Sequence, residues 1–171
     1  MSTLSVDHLV KRAGVGIGSF YEYFGGKDAL LGTLIARLTR ENFSTLLEGV
    51  GRGQASLDAV ARQVAQAAMC AYLEHPARTR VVVAGIVRLG LIEVIIAERD
   101  RFSDALALEV EPLRPGWSRH ALAARMRLLC DAAMGVITAE LYRRSPRPPE
   151  ALVPAVVEIA LAMLPPEPPG D

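Results

Sequence analysis

At 171 residues the chain suits one compact protomer core with room for a small subdomain. With 51% apolar and 22% charged residues, and 19 basic side chains balancing 19 acidic ones, it is neither disordered nor low in complexity, and it must bury much of its surface. Cys70 and Cys130 have no CxxC partner and no histidine cluster beside them, so no disulfide framework, zinc site or other metal site is indicated, and a reducing, cytoplasmic setting is expected.

No run alternates strictly between apolar and polar residues, and the apolar spacing is helical throughout, which predicts an all-α protein. Residues 1–40 hold five basic and three acidic side chains, so an acidic partner would be met by the N-terminal end. In Ser5 to Gly14, Val6, Leu9, Val10 and Ala13 fall on one helical face, Ser5 can cap, Asp7 suits the first turn, and Gly14 can terminate. A second short helix, Ile17 to Phe24, ends at Gly25-Gly26. A longer one starts at Lys27 and repeats Leu30, Leu31, Leu34, Ile35 and Leu38.

Gly49 to Gly53 reads as a linker. Ser56 caps a predicted helix to Leu73, and His75-Pro76 forces a boundary. Helices are then expected over about 77–86, 87–113 and 119–144, with a loop from Pro112 to Trp117, and a last one over about 149–164. The run Val81 to Ala97 carries Arg88, Glu93 and two glycines, so it does not read as a membrane span. The last helix is apolar around nearly its whole circumference and needs burial all round. With Ala132, Ala133, Gly135 and Ala139 on the helix before it, it predicts a homodimer through the last two helices.

Two short helices joined by a tight glycine turn form a helix-turn-helix, whose second helix enters the DNA major groove. The segment Ser5 to Leu31, with Ala13-Gly14-Val15, Gly18-Ser19-Phe20-Tyr21, Phe24, Lys27 and Leu30-Leu31 in register, resembles the DNA-binding segment of the TetR family of bacterial transcriptional regulators. The resemblance implies a helix-turn-helix subdomain over 1–48, a helical-bundle ligand-binding and dimerisation domain over 54–164, and a flexible tail over 165–171. It also implies a repressor that binds a palindromic double-stranded DNA operator as a dimer and is released by a small hydrophobic effector, with no cofactor and no enzymatic activity. By that resemblance Gly16, Ile17, Gly18 and Ser19 form the first turn of the recognition helix, Tyr21 and Tyr23 meet phosphates, and Lys27 clamps the backbone. Val15 is expected to plug the angle between the helices, and Phe20 and Phe24 to face inward.

The chain departs from the family's pattern in two respects. Gly16 and Ile17 stand at positions usually polar in the family, so base readout would fall to Ser19, Glu22 and contact of Ile17 with thymine methyls. The family's first helix precedes this segment, and only Met1 to Leu4 stand before Ser5, so Val6, Leu9, Phe20 and Phe24 are expected to lack part of their cover. A helical dimer that binds small molecules or proteins and has lost DNA binding is the competing reading.

Gly14 to Gly18 lacks the preceding strand of a dinucleotide loop and a third glycine at its spacing, and His8, His75 and His120 lack metal-ligand spacing. Met69, Leu73, Leu89, Phe102, Met126 and Cys130 are the expected lining of an apolar effector pocket, with Trp117 beside them.

Overall fold

Three serines start helices by the same device: the hydroxyls of Ser5, Ser56 and Ser118 each accept at 3.2 Å, from the backbone N–H of His8, Ala59 and Ala121. Each such cap is worth about 1 kcal/mol. The computed structural model describes residues 5–50 and 56–167, and all regular structure among them is helical. The elements are α1 (Val6–Ala13), α2 (Ile17–Tyr23), α3 (Lys27–Gly49), α4 (Leu57–Leu73), α5 (Pro76–Arg88), α6 (Ile92–Val110), a 3-10 turn (Glu111–Leu113), α7 (Arg119–Leu141) and α8 (Pro149–Met163).

The long apolar segment divides later than the spacing predicts. Apolar periodicity runs on through Val87 to Leu91, but Gly90 takes the left-handed conformation at φ +66°, so the break falls between α5 and α6 and not after Ile86. Gly49 closes α3, whereas residues 51–53 of the expected linker lie outside the described residues, as does the tail from residue 168.

α4 packs most extensively on α8, α6 on α7, and α3 on α6. One core cluster joins Leu46 of α3, Val60 of α4, Phe102 and Leu106 of α6, and Leu122 and Met126 of α7 with Trp117 and Leu164. A second joins Ala65 and Met69 of α4 to Ile137 and Leu141 of α7 and to Leu152, Val153, Val156 and Val157 of α8. Helix ends are closed by arginines and a tryptophan from elsewhere in the chain. Arg80 Nε donates to Leu141 O at 2.6 Å, Arg114 Nε to Leu164 O at 2.8 Å, and Trp117 Nε1 to Pro165 O at 3.1 Å. Trp117 is thereby a core and anchoring residue, with Arg125 over its ring.

The turn between α7 and α8 is organised by one fully buried carboxylate. Glu140 accepts from Arg143 Nε at 2.7 Å, from Arg147 Nη2 at 2.6 Å and from the Arg147 backbone N–H at 3.0 Å. The guanidinium and amide of Arg147 hold its carboxyl down at about 2. Because the folded value lies below the ordinary one near 4.5, the stabilisation is complete above that value and is lost as pH falls through it toward about 2. Acid titration of unfolding should therefore show a destabilising slope between about pH 4.5 and 2 that is reduced in Glu140→Gln, whose neutral side chain also lowers stability at pH 7; equal slopes in the two proteins would refute the role.

Candidate nucleic-acid interface

The reversal between α1 and α2 rests on Gly14, which sits at φ +69°, ψ 27° and donates to the carbonyls of Val10 and Lys11. A side chain at that φ is strained, and glycine is not. The next amide, Val15 N–H, closes on Val10 O at 3.0 Å. Val10 and Phe20 are the buried residues of this pair of helices, and Phe20 meets Phe24 at 5.7 Å between ring centroids and Tyr21 edge-on at 5.2 Å.

With Phe20 and Phe24 one turn apart on the inner side, helical periodicity sets Gly18 and Glu22 on the opposite face, flanked by Ser19 on one side and by Ile17 and Tyr21 on the other. Gly16, Ile17, Gly18, Ser19, Tyr21, Glu22, Tyr23 and Lys27 are all exposed, Tyr23 at 82% and Tyr21 at 55%. The structure thus brings the eight residues singled out by the sequence onto α2 and its two margins. Val15 does not plug the interhelical angle: it is half exposed, since the turn carries it outward and Val10 and Phe20 already fill the space. Nor does Phe20 lack cover, being 6% exposed, although Val6, Leu9 and Phe24 are only half-buried.

Basic side chains flank this surface. Lys11 and Arg12 occupy the exposed last turn of α1, and Lys27 starts α3. Asp28, the acid beside Lys27, is held bidentately by Arg88 of α5 at 2.9 Å through both oxygens, and these hydrogen bonds keep its carboxyl below the usual range. The local negative charge is countered from the bundle.

Arg88–Asp28 is one of several ties between α3 and the bundle. Ile35, fully buried, lies against Gly85 of α5, where a Cβ would stand 2.5 Å from Ile35 Cδ1. Arg40 donates through Nε and Nη2 to the buried Glu98 of α6 at 3.0 and 2.8 Å. Phe43 stacks on Phe102 at 5.1 Å.

A more open cavity of about 430 Å³ is lined by Asp28, Ala29, Gly32 and Thr33 at the start of α3 and by Leu89 and Leu91, and two others lie among the bundle helices. One of about 60 Å³, among α4, α6, α7 and α8, is wholly apolar and lined by Met69, Met126 and Cys130 together with Val60, Leu106 and Val156. Of the six expected effector residues, the other three are elsewhere: Leu73 packs against the second core cluster, Leu89 sits in the α5–α6 turn beside Gly32, and Phe102 is stacked in the first core cluster. Burial pushes the thiols of Cys70 and Cys130 up, as suits packed sulfur.

The second cavity, about 140 Å³, lies among α3, α4, α5 and α6 and is closed by Met134 of α7. Its polar residues, Thr39, Asn42, Tyr72, Arg78, Thr79 and Arg99, were not anticipated from the sequence. One signal was available: Arg99 stands four residues after Ile95 and three before Phe102, inside the apolar stripe of α6.

No helix among the described residues is long and apolar enough to cross a membrane, and no metal-binding group of side chains is found among them. Residues 1–34 match the family model of bacterial regulatory proteins, tetR family. No curated protein matches the chain.

The contact of Ile35 with Gly85 makes a stability prediction. Overpacking in Gly85→Ala costs about 1–3 kcal/mol, against a gain of ~1 kcal/mol in helix propensity, for a net loss near 1 kcal/mol. In the double variant with Ile35→Val, denaturant unfolding should give a loss smaller than the sum of the single losses by about 1 kcal/mol; strict additivity would show that the two residues do not confine each other.

Proposed function

We propose that this member of the TetR family of bacterial regulatory proteins, a DNA-binding regulator of that type by its N-terminal segment, is a ligand-released repressor that binds a palindromic operator as a homodimer. The observation that carries the reading is the agreement between the matched segment and the exposed outer face of α2, which presents Ile17, Gly18, Ser19, Tyr21 and Glu22 beside the basic margins at Lys11, Arg12 and Lys27. In such an arrangement Tyr21, Tyr23 and Lys27 meet the phosphate backbone and set the register, while Ile17, Ser19 and Glu22 face base edges.

The dimer reading is supported by the last two helices. Leu152, Val153, Val156, Val157 and Ala160 bury one face of α8, and Ala151, Pro154, Ala155, Glu158, Ile159 and Ala162 leave the other exposed. Beside it α7 exposes Ala124, Leu128, Gly135 and Ala139 along one stripe. Two copies of this small-residue surface meeting about a two-fold axis would make a four-helix bundle and carry the two α2 helices to half-sites roughly 34 Å apart.

Release follows from the path of α3. Its first residue borders α2 and its last turns lie in the bundle core, so a ligand that displaces α3 changes the separation of the two α2 helices. Such a ligand acts only if it prefers the spacing that does not fit DNA.

Fluorescence anisotropy on labelled DNA from upstream of the protein's own gene tests the first part. Binding should weaken steeply with added salt, and Tyr21→Ala and Lys27→Ala should each weaken binding to all sequences, Lys27→Ala also lowering the salt slope by about one. Salt-independent binding, or variants that bind as the parent does, would refute the assignment. Light scattering tests the second part: twice the 18.4 kDa protomer mass is expected, falling to the protomer mass in Ala155→Arg with Gly135→Arg. A monomeric parent protein would refute the dimer.

A further inference from the structure

The guanidinium of Arg99 is the least satisfied polar group bordering the larger of the two bundle cavities. Its side chain is 20% exposed, one terminal nitrogen pairs with Asp131, and its Nε is fully buried without an acceptor among the described residues. A buried N–H left unpaired costs free energy, and a buried guanidinium edge is best satisfied by a carboxylate.

The surrounding chemistry narrows what could supply that acceptor. Arg78 adds a second guanidinium at the exposed rim, and no carboxylate lines the cavity; Asp131, which is half exposed, reaches Arg99 without being part of the lining. The Tyr72 hydroxyl is already engaged with Asn42. Thr79 Oγ1 already donates to Tyr72 O at 2.7 Å, and apart from Thr39 the remaining walls are apolar, with Phe43 and the Met134 thioether among them, groups that favour a flat ring. The volume of about 140 Å³ is close to the ~150 Å³ of an apolar protein cavity known to hold benzene.

We infer that this cavity binds a small aromatic monocarboxylate, with the ring between the apolar walls and the carboxylate accepting from Arg99 Nε–H. The inference gives the effector of the proposed repressor a chemical class, and it rests on that reading for its regulatory consequence alone. Binding requires only the cavity and Arg99. An all-apolar effector, as the sequence suggests, would leave Arg99 Nε–H unpaired.

Titration calorimetry on the full chain with benzoate, benzamide and cyclohexanecarboxylate tests it. Benzoate should bind at least about tenfold more tightly than neutral benzamide, the difference expected of a charge-assisted hydrogen bond, and more tightly than the non-aromatic acid. Arg99→Gln should weaken benzoate about tenfold or more. If that variant does not fold, Arg99→Lys keeps the charge opposite Asp131 but lacks the Nε–H edge, and the same weakening is expected. Absence of benzoate binding, equal binding of benzamide or of cyclohexanecarboxylate, or unchanged affinity in the Arg99 variants would overturn the inference.

Operator anisotropy with and without benzoate separates this claim from the repressor reading. Benzoate that binds at Arg99 without releasing DNA supports the site and removes the release mechanism. Intact operator binding with no benzoate binding removes the site alone.

Discussion

A single unbroken helix has to serve two parts of this molecule at once. The 23 residues of α3 span about 34 Å, beginning beside the exposed face of α2 at Lys27 and reaching the core with Leu46. No glycine or proline kink divides it from Gly32 to Glu48, so a push on its middle is transmitted along its length and not absorbed at a joint. Its contacts follow from that demand. Gly85 removes a side chain where α5 must come close to Ile35, and Phe43 fixes the far half by stacking on Phe102.

Charge is used at junctions and apolar matter within layers. Arg88 reaches Asp28, Arg40 and Arg101 converge on Glu98, Arg127 reaches Asp104, and Arg143 with Arg147 surrounds Glu140. The partly exposed pairs add little stability individually. Their value is directional, since a bidentate or converging guanidinium fixes how two helices sit along one another, whereas interleaved leucines and valines tolerate sliding. Glu98 and Glu140 are the two buried acids among the described residues, and each has two arginines. A chain with equal numbers of acidic and basic residues can meet these needs without leaving a large net charge overall.

What could be read from the sequence was local. Ser5, Gly14, Ser56 and Ser118 act within a turn of themselves, and the helix starts they imply are found where expected. The outer face of α2 is equally local, because a seven-residue helix with Phe20 and Phe24 inward has only one other face to show. The misplaced break at Gly90 has a physical cause: apolar spacing is indifferent to whether a helix continues or restarts, and only the left-handed glycine decides it. Residues meeting across long sequence separations were hidden. Leu73, Leu89 and Phe102 have the composition of pocket walls but are separated by the crossing of α4, α5 and α6, and the pairing of Arg88 with Asp28 joins residues 60 apart. Arg99 was visible as an interruption, yet an arginine in an apolar stripe says only that something must pair with it.

The two bundle cavities differ in which element they touch. The smaller one has walls from α4, α6, α7 and α8, and none from α3. The larger one takes Leu38, Thr39, Asn42 and Phe43 from one stretch of α3 and faces them with Val82, Ile86 and Arg99. A ligand can shift a conformational equilibrium only by the difference in its affinity for the two states, and that difference has to arise where the states differ. If the DNA-competent and released forms differ in the placement of α3, an occupant of the smaller cavity makes nearly the same contacts in both, whereas an occupant of the larger one touches the moving helix directly. The same stretch of α3 includes Arg40, held by Glu98, and ends at Phe43, stacked on Phe102, so moving it must also strain those two ties. They set the free energy against which an effector's differential binding has to act, and a ligand that supplies an acceptor to Arg99 in one arrangement only would have the means to overcome it.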